Sequence, residues 1–373
     1  MKLAILGTRG VPPSYGGFET FAAELGTRLV KRGHEVTVYC RSHGGQAPSP
    51  VLEPGMDRRG RLSSMGTWQG IHRIVLPAPS AKYFETVTHT FLSALDALRR
   101  DFDAALVCNA ANAFALPLLR AARIPVAINV DGIERKRRKW NFLGRAVYAA
   151  GEALSVDFAT VIADAEVIAE YYRENYAIEP VVIPYGAEFP DESDSDVLQR
   201  LGIRDYILYV SRFEPENNPL EVVTAYEKLE AAPPLVMLGQ GLYAPDLVRE
   251  LKSHESPLIL FPGALYGADY RTLQRNALLY VQATEVGGTH PALIEAMASG
   301  GAVLALDTPE NREVGGDAIG YFSTPTLPGM LREWLANRSG MDGYRERARS
   351  RARERYGWES VTDAYERLFL QLA

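Results

Sequence analysis

Short apolar segments alternate with longer amphipathic stretches along the whole chain, and this alternation limits the possible folds more than any other feature. In the first half, we predict strands over residues 3–6, 36–39, 71–76, 104–107, 126–130, 160–163 and 181–183. Their near-continuous apolar character is typical of strands that are covered on both faces, as in a parallel sheet. Apolar residues at helical spacing between Phe18 and Leu29, ended by Gly33, predict a crossover helix between the first two strands.

The second half repeats this pattern after a polar, proline-containing stretch around residues 184–196. There we predict strands over residues 206–210, 235–238, 258–261, 278–281, 302–306 and 319–322. The fold class is therefore α/β, with two Rossmann-like, doubly wound parallel-sheet domains facing a cleft. We expect the first domain over residues 1–186, the second over 187–357, and a terminal helix over 358–373 that packs back on the first domain.

One glycine-rich loop runs directly into an apolar helix in the second half. Gly287, Gly288, Thr289 and His290 precede Pro291, which is tolerated in a first helical turn, and Thr289 or His290 is placed to cap that turn. A helix start of this kind suits a diphosphate, and Glu295, one or two turns further on, could hold a ribose diol. The alternative is an ordinary buried helix behind a flexible loop.

A second glycine-rich loop, over residues 7–17, follows the first strand. It matches neither the G-x-G-x-x-G fingerprint nor the Walker pattern, which argues against NAD and ATP as ligands. Arg9 offers a planar donor fork to phosphate or sugar oxygens, and Gly16 and Gly17 lie where such sheets bind ligands. Alternatively, Arg9 is a surface arginine in a turn.

Carboxylates also follow predicted strands. Asp131 and Asp164 are placed to meet substrate hydroxyls, although Asp164 could equally be a helix N-cap. Arg212 follows the first strand of the second half and should point toward the crevice that the 287–295 loop lines. The D-x-D pattern at Asp194 and Asp196 lies in the polar linker with no strand before it, and we do not assign it a metal.

A run of five cations covers residues 135–139 and is followed by Trp140, Phe142 and Leu143. It could rest on anionic lipid headgroups or on a lipid diphosphate, and the alternative is a solvated helix face. Residues 43–70 are rich in Gly, Pro and Ser and are predicted to be a mobile loop near the site entrance.

Composition excludes several other classes. A length of 373 residues with 47% hydrophobic content is enough for two cores, and the net charge of -6 argues against general nucleic-acid binding. Cys40 and Cys108 lie in apolar segments, which favours buried thiols in a reducing compartment over a disulfide. No zinc pattern, signal peptide or membrane-spanning run is present, so we expect a cytoplasmic protein.

Long motifs in this order resemble those of a known family. They are G-T-R-G-V-P-x-x-Y-G-G-F-E-T, N-V-D-G-x-E-x-K-R-x-K-W, V-I-P-Y-G-A, E-P-E-N-N and G-G-T-H-P-x-L-I-E-A-M-A. Over essentially the whole chain, the sequence resembles the GT-B glycosyltransferases of retaining family four, and specifically their rhamnosyltransferase-like branch. The resemblance implies polysaccharide biosynthesis, in which a sugar moves from a nucleoside diphosphate, dTDP-rhamnose in this branch, to a glycan or lipid-linked acceptor.

The resemblance also implies site roles. Arg212 and the backbone of residues 287–290 would hold the donor diphosphate, Glu295 the ribose, and Asp131 or Asp164 the sugar ring and acceptor, without a metal or a cofactor. Two departures from the wider family stand out. Gly287 occupies the position of a donor-sugar glutamate, and Asn217 occupies that of a diphosphate-binding lysine. Within the branch motif, Arg135 stands where a tryptophan is usual.

Two other function classes share this architecture. A non-hydrolysing nucleotide-sugar epimerase would release an altered nucleotide sugar without an acceptor, but its additional acid and base carboxylates are not evident in the sequence. A non-catalytic nucleotide-sugar-binding protein would bind its ligand without turnover.

Overall fold

Parallel strands form the centre of two compact units in the computed structural model, which describes residues 1–13, 16–42, 64–78, 85–138, 140–189, 195–241 and 244–373. The first unit contains Met1–Arg135, Asn141–Pro184 and Trp358–Ala373, and the second contains Lys136–Trp140 and Tyr185–Gly357. Assignment of residues 136–140 to the second unit is a feature that the sequence does not predict. The predicted α/β class with two parallel-sheet domains is confirmed.

The first unit has an eight-stranded sheet in the order β3-β4-β2-β1-β5-β6-β7-β8. Its strands are β1 (Lys2–Leu6), β2 (Glu35–Ser42), β3 (Ser64–Trp68), β4 (Ile71–Pro77), β5 (Ala104–Cys108), β6 (Val126–Asn129), β7 (Thr160–Ala163) and β8 (Val181–Val182). Its helices are α1 (Gly17–Lys31), α2 (Glu85–Ala97), α3 (Leu116–Ala121), α4 (Phe142–Phe158), α5 (Glu166–Tyr176) and α14 (Trp358–Leu372). Leu3 pairs with both Val36 and Ala104, so β1 lies inside the sheet, and its residues from Leu3 onward are buried as the apolar pattern predicts.

One edge of this sheet differs from the prediction. Residues 64–68 form β3, which pairs antiparallel with β4, so the prediction of a loop over residues 43–70 is wrong for this segment. The part of that predicted loop over residues 43–63 lies outside the described residues.

The second unit has a six-stranded parallel sheet in the order β11-β10-β9-β12-β13-β14. Its strands are β9 (Ile207–Val210), β10 (Leu235–Leu238), β11 (Ile259–Gly263), β12 (Leu279–Gln282), β13 (Val303–Leu306) and β14 (Gly320–Phe322). Its helices are α6 (Val197–Leu201), α7 (Pro219–Tyr226), α8 (Pro245–Ser253), α9 (Gly267–Asn276), α10 (Pro291–Ala298), α11 (Pro309–Gly315), α12 (Leu327–Ala336) and α13 (Met341–Arg355).

Each sheet has a point at which the strand order reverses. In the first unit the chain moves outward from β1 in one direction and from β5 in the other, and in the second unit the same happens at β9 and β12. Open α/β sheets bind ligands at the carboxyl ends of the strands beside such a reversal. We therefore expect a ligand-binding site at the loops that follow β1, β9 and β12.

The terminal helix α14 packs on α1 within the first unit. Phe21 of α1 lies 6.2 Å from Trp358 and 5.3 Å from Tyr365, measured between ring centroids. At the end of α1, Arg32 pairs with Asp363 at 2.6 Å and with Glu366 at 2.7 Å. Aromatic packing and ion pairs together hold residues from the two ends of the chain in one domain.

Candidate functional site

The segment after β12 forms a loop and then begins α10 at Pro291, as the sequence predicts. His290 is the N-cap residue, but its side chain makes no capping hydrogen bond, so the prediction of a side-chain cap is wrong for His290. Thr289 is buried, as are Gly287 and Gly288. The glycine-rich loop therefore leads directly to the positive end of the α10 helix dipole.

Gly287 has a steric role of its own. A Cβ atom at this position would lie 2.5 Å from Cε1 and 3.0 Å from Nδ1 of the His290 ring. A side chain at Gly287 would thus displace the imidazole from the helix start. The absence of a side chain at position 287 leaves room for the buried His290 ring.

His290 is held neutral by its surroundings. Burial and the positive charge of Arg137 lower the pKa of His290 to about 3. Its Nε2 atom is buried and has no hydrogen-bond partner among the described residues.

This depressed pKa predicts a loss of stability in acid. In the unfolded chain His290 should titrate near its ordinary pKa of about 6.5, so below that pH the unfolded state takes up a proton that the folded state does not. Stability contributed by neutral His290 is present above pH 6.5 and falls as the pH decreases from there toward 3. Between pH 8 and pH 5 the wild-type protein should lose about 2 kcal/mol more than a His290→Gln variant, measured by urea unfolding. Parallel pH curves for the two proteins would contradict the assignment.

Glu295 lies on α10 and is oriented by α9. The Tyr270 hydroxyl donates to Oε2 of Glu295 at 2.5 Å, and Nε2 of Gln274 donates to the Tyr270 oxygen at 2.8 Å. Burial, followed by the negative charge of Glu295, raises the pKa of Tyr270, so the phenol remains a neutral donor. Tyr270 and Gln274 were not predicted from the sequence, although their spacing of four residues on one helix is the signal that places them on the same face.

Arg212 follows β9, and hydrogen bonds from side chains to main-chain carbonyls hold its loop. Nδ2 of Asn217 donates to the Arg212 carbonyl at 2.7 Å, while the Tyr209 hydroxyl donates to the Asn217 carbonyl at 2.7 Å. The Arg212 side chain is 41% exposed and its Nη1 lies 3.8 Å from Oε1 of Glu214. Asn217 is buried and supports the loop by these bonds.

This loop is bonded to the segment that leads to α10. Nδ2 of Asn218, a residue with φ of 52°, donates to the Ala283 carbonyl at 2.9 Å. The main-chain N–H of Glu285 donates to the Glu216 carbonyl at 2.9 Å. Arg212 and the start of α10 are therefore parts of one hydrogen-bonded edge beside the strand reversal of the second unit.

The predicted basic run does not form a solvated helix face. In the first unit, Nε of Arg135 lies 3.3 Å from Glu152. In the second unit, Arg137 is buried beside Glu216, and Arg138 pairs with Glu285. Lys136 is exposed, and Lys139 lies outside the described residues. All three arginines of the run therefore have carboxylate partners, and contact of the run with lipid stays a prediction.

In the first unit, the loop after β1 carries Arg9. The main-chain N–H of Arg9 donates to Oε1 of the buried Glu19 at 2.9 Å, and the Arg9 carbonyl accepts the N–H of Arg41 at 3.0 Å. Gly16 is the N-cap of α1 and Gly17 its first residue, so both lie at a helix start as predicted. Tyr15, between these parts of the loop, lies outside the described residues.

Asp131 and Asp164 follow β6 and β7. Asp131 has φ of 61°, and its N–H donates to Oδ1 of Asn129 at 3.0 Å. Nδ2 of Asn129 in turn donates to the Tyr365 hydroxyl of α14 at 2.9 Å, a contact that the sequence did not predict. Asp164 is fully buried, and Ala165 is the N-cap of α5, so the alternative that Asp164 caps this helix is wrong.

Neither a metal centre nor a membrane-spanning helix is evident among the described residues. No group of three or more His, Cys, Asp or Glu side chains there has an arrangement suited to a metal ion. Among the same residues, no helix combines the length and the apolar character that crossing a membrane requires.

Two family models match the chain, one in each half. Glycosyltransferase Family 4 matches residues 15–188, and Glycosyl transferases group 1 matches residues 191–355. Together with the two parallel-sheet domains, these matches identify the chain as a glycosyltransferase of the GT-B type. A search of curated protein sequences gives no match.

Solved structures share this fold at low sequence identity. Sucrose-phosphate synthase from Thermosynechococcus elongatus superposes with a TM-score of 0.82 at 16% identity, covering 100% of this chain and 98% of the synthase. Alr3699/HepE from Anabaena, in complex with UDP-glucose, gives 0.76 at 16% identity and covers 99% of both chains. A trehalose-phosphate synthase from Burkholderia xenovorans, in complex with glucose-6-phosphate, gives 0.72 at 14% identity, covering 99% of this chain and 100% of that one.

Proposed function

We propose that the protein transfers a sugar from a nucleoside diphosphate to a hydroxyl of a glycan or lipid-linked acceptor, with retention of anomeric configuration. We further propose rhamnose as the sugar and dTDP-rhamnose as the donor, on the basis of the motif resemblance. The observation that carries the proposal is the hydrogen-bonded edge that joins the Arg212 loop to the start of α10 at the strand reversal. This edge combines a cation with a helix start, which is the chemistry that recognises a diphosphate.

The proposed chemistry fits these groups. When the bond to the sugar breaks, negative charge develops on the leaving phosphate, and preorganised donors at that point lower the barrier most. Arg212 and the N–H groups at the start of α10 would stabilise this charge, and Glu295, oriented by Tyr270, would hold the ribose. The leaving phosphate would take the proton of the attacking acceptor hydroxyl on the same face of the sugar.

The structural relatives support the ligand class. Alr3699/HepE was solved with UDP-glucose, and the Burkholderia enzyme, a UDP-forming synthase, with glucose-6-phosphate. A nucleotide-sugar donor and a hydroxyl-bearing acceptor are therefore the ligands we propose for this chain. Asp131 and Asp164 are proposed to steady the sugar ring and the acceptor.

Turnover with defined substrates tests the proposal. The protein is incubated with a panel of nucleotide sugars, each with and without a glycan or lipid-linked acceptor, and the products are identified by mass spectrometry and by NMR of the anomeric proton. We expect acceptor-dependent release of nucleoside diphosphate and a retained anomeric configuration. A free, altered nucleotide sugar without acceptor would indicate an epimerase, and binding without any turnover would indicate a non-catalytic protein. We expect activity to persist in EDTA, and a complete loss that Mg²⁺ or Mn²⁺ restores would contradict metal independence.

The role of Glu295 is tested by a single substitution. Glu295→Gln should weaken nucleotide binding by about 1.5 to 3 kcal/mol, because a charged bond to the ribose becomes a neutral one. Isothermal titration of the nucleoside diphosphate measures the change, with Glu333→Gln, an exposed position on α12, as the control. An unchanged titration of Glu295→Gln would contradict the assignment.

We also propose peripheral contact with anionic membranes through residues 135–143, and in particular through the start of α4. Phe142 is 88% exposed, Leu143 is 69% exposed, and the nearby Arg145 is also exposed. Two large apolar side chains beside a cation suit the boundary between headgroups and acyl chains.

Replacing both Phe142 and Leu143 by serine should reduce binding to anionic vesicles about tenfold or more, because burial of each side chain contributes about 1.5 to 3 kcal/mol when complete. Vesicle sedimentation measures this binding. Leu370→Ser is the control, because Leu370 is a 61% exposed leucine of the same unit on α14. Equal binding of the double variant and the wild type would rule out this surface.

A further inference from the structure

Glu216 is an unusual carboxylate for its position. It is fully buried in the second unit, and neither of its side-chain oxygens has a hydrogen-bond partner among the described residues. Desolvating a carboxylate without hydrogen bonds is costly, so a nearby opposite charge is needed to offset the cost. Arg137, itself 5% exposed, brings Nη1 to 3.5 Å from Oε1 of Glu216.

Glu216 also belongs to the edge that carries the proposed donor site. It lies in the short 3-10 turn Pro215–Asn217, and its carbonyl accepts the N–H of Glu285 at 2.9 Å. The Glu285 side chain is in turn shared between Arg138 and Asn218. Two consecutive arginines thus contact two segments that are far apart in sequence but adjacent at the end of the sheet.

The ion pair between Arg137 and Glu216 holds the two segments in place but adds little positive electrostatic potential. Because Glu216 balances the charge of Arg137, the pair contributes little net attraction for a phosphate. Its effect is geometric, since a displaced Glu216 would also release the main-chain bond to Glu285 and the approach to α10.

We infer that Arg137 is a positioning residue for the donor site, which holds the Glu216 turn and the segment leading to α10 in the arrangement that binds a nucleoside diphosphate. This inference rests on the proposed function. It gives residues 136–140 a role within the second unit, where the structure places them.

An Arg137→Met variant tests the inference by two independent measurements. Amide hydrogen exchange should become about tenfold faster or more in peptides covering residues 213–218 and 283–290, with β13 unchanged, because the loops lose their anchor. Affinity for UDP and dTDP, measured by calorimetry, should fall about tenfold or more for whichever nucleotide the wild type binds. Arg137→Lys, which keeps the charge, should recover part of both effects.

Arg351→Met is the matched control. Arg351 is a half-buried arginine of the same unit that donates to the carbonyls of Glu313 and Val314, away from these loops. Its substitution should leave exchange at residues 213–218 and 283–290 unchanged.

Three possible results would contradict either the inference about Arg137 or the proposed function. Unchanged exchange and affinity in a folded Arg137→Met variant overturn the inference. If that variant does not fold, Arg137→Met combined with Glu216→Met removes both charges together, and normal exchange and affinity in this protein would equally overturn it. A wild type that binds neither nucleotide contradicts the proposed function instead, and the exchange measurement then still decides whether Arg137 orders the two loops.

Discussion

Replacing Arg212 by alanine should lower the rate of sugar transfer by about a hundredfold or more and weaken nucleotide binding by about 1.5 to 3 kcal/mol. The guanidinium is 41% exposed, so a ligand can reach it. Its loop is held through the main chain by Asn217, whose bond to the Arg212 carbonyl survives the substitution. The loss should therefore report on the charged side chain and not on a collapsed loop.

Single-turnover rates and calorimetry on the same protein separate the two effects. Arg249→Ala is the control, because Arg249 has a 78% exposed side chain in the same unit that pairs with Asp246 on α8. If Arg212→Ala binds nucleotide normally but transfers slowly, Arg212 acts only in the transition state. If both quantities are normal, the diphosphate lies elsewhere.

The sequence predicts the fold well because parallel strands buried on both faces leave a strong apolar signal. Strands β1 and β12 show this, since residues 3–6 and 279–281 within them are continuous apolar runs that are buried. The same reasoning missed β3, whose sequence Ser-Met-Gly-Thr-Trp lies at the edge of the sheet and pairs antiparallel with β4. An edge strand buries less of its surface, so composition alone did not distinguish it from the loop before it.

The candidate site was predictable only in part. Arg212 and Glu295 were predicted because each lies in a motif that the local sequence reveals. Arg212 follows a strand, and Glu295 follows a glycine-rich loop that leads into a helix. Supporting side chains were not predicted, because Tyr270 reaches Glu295, and Tyr365 reaches Asn129 beside Asp131, only through tertiary contacts. The basic run illustrates the same limit, since only the fold reveals that Arg137 is buried beside Glu216.

Replacing Arg9 by alanine should cut the transfer rate by about a hundredfold or more, the cost of one lost transition-state donor, with little change in nucleotide affinity. The reason begins with Asn217, which the motif resemblance places at the position of a diphosphate-binding lysine in the wider family. With one cation fewer in the second unit, other donors must balance the departing diphosphate. Arg9, in the glycine-rich loop after β1, is one such candidate donor, and we expect it to act in the transition state and not in nucleotide binding.

Alanine at position 9 can keep the main-chain hydrogen bonds of this loop. The Arg9 main chain is held by Glu19 on one side and by Arg41 on the other, and both bonds use backbone atoms that alanine retains. Arg99→Ala, at an exposed arginine of the same unit, controls for the loss of a surface charge. An interaction made only in the transition state lowers kcat without altering ground-state binding, whereas a uniform contact would alter affinity as well. Normal single-turnover rates for Arg9→Ala would leave Arg9 as a loop arginine and would require another group to replace the missing lysine.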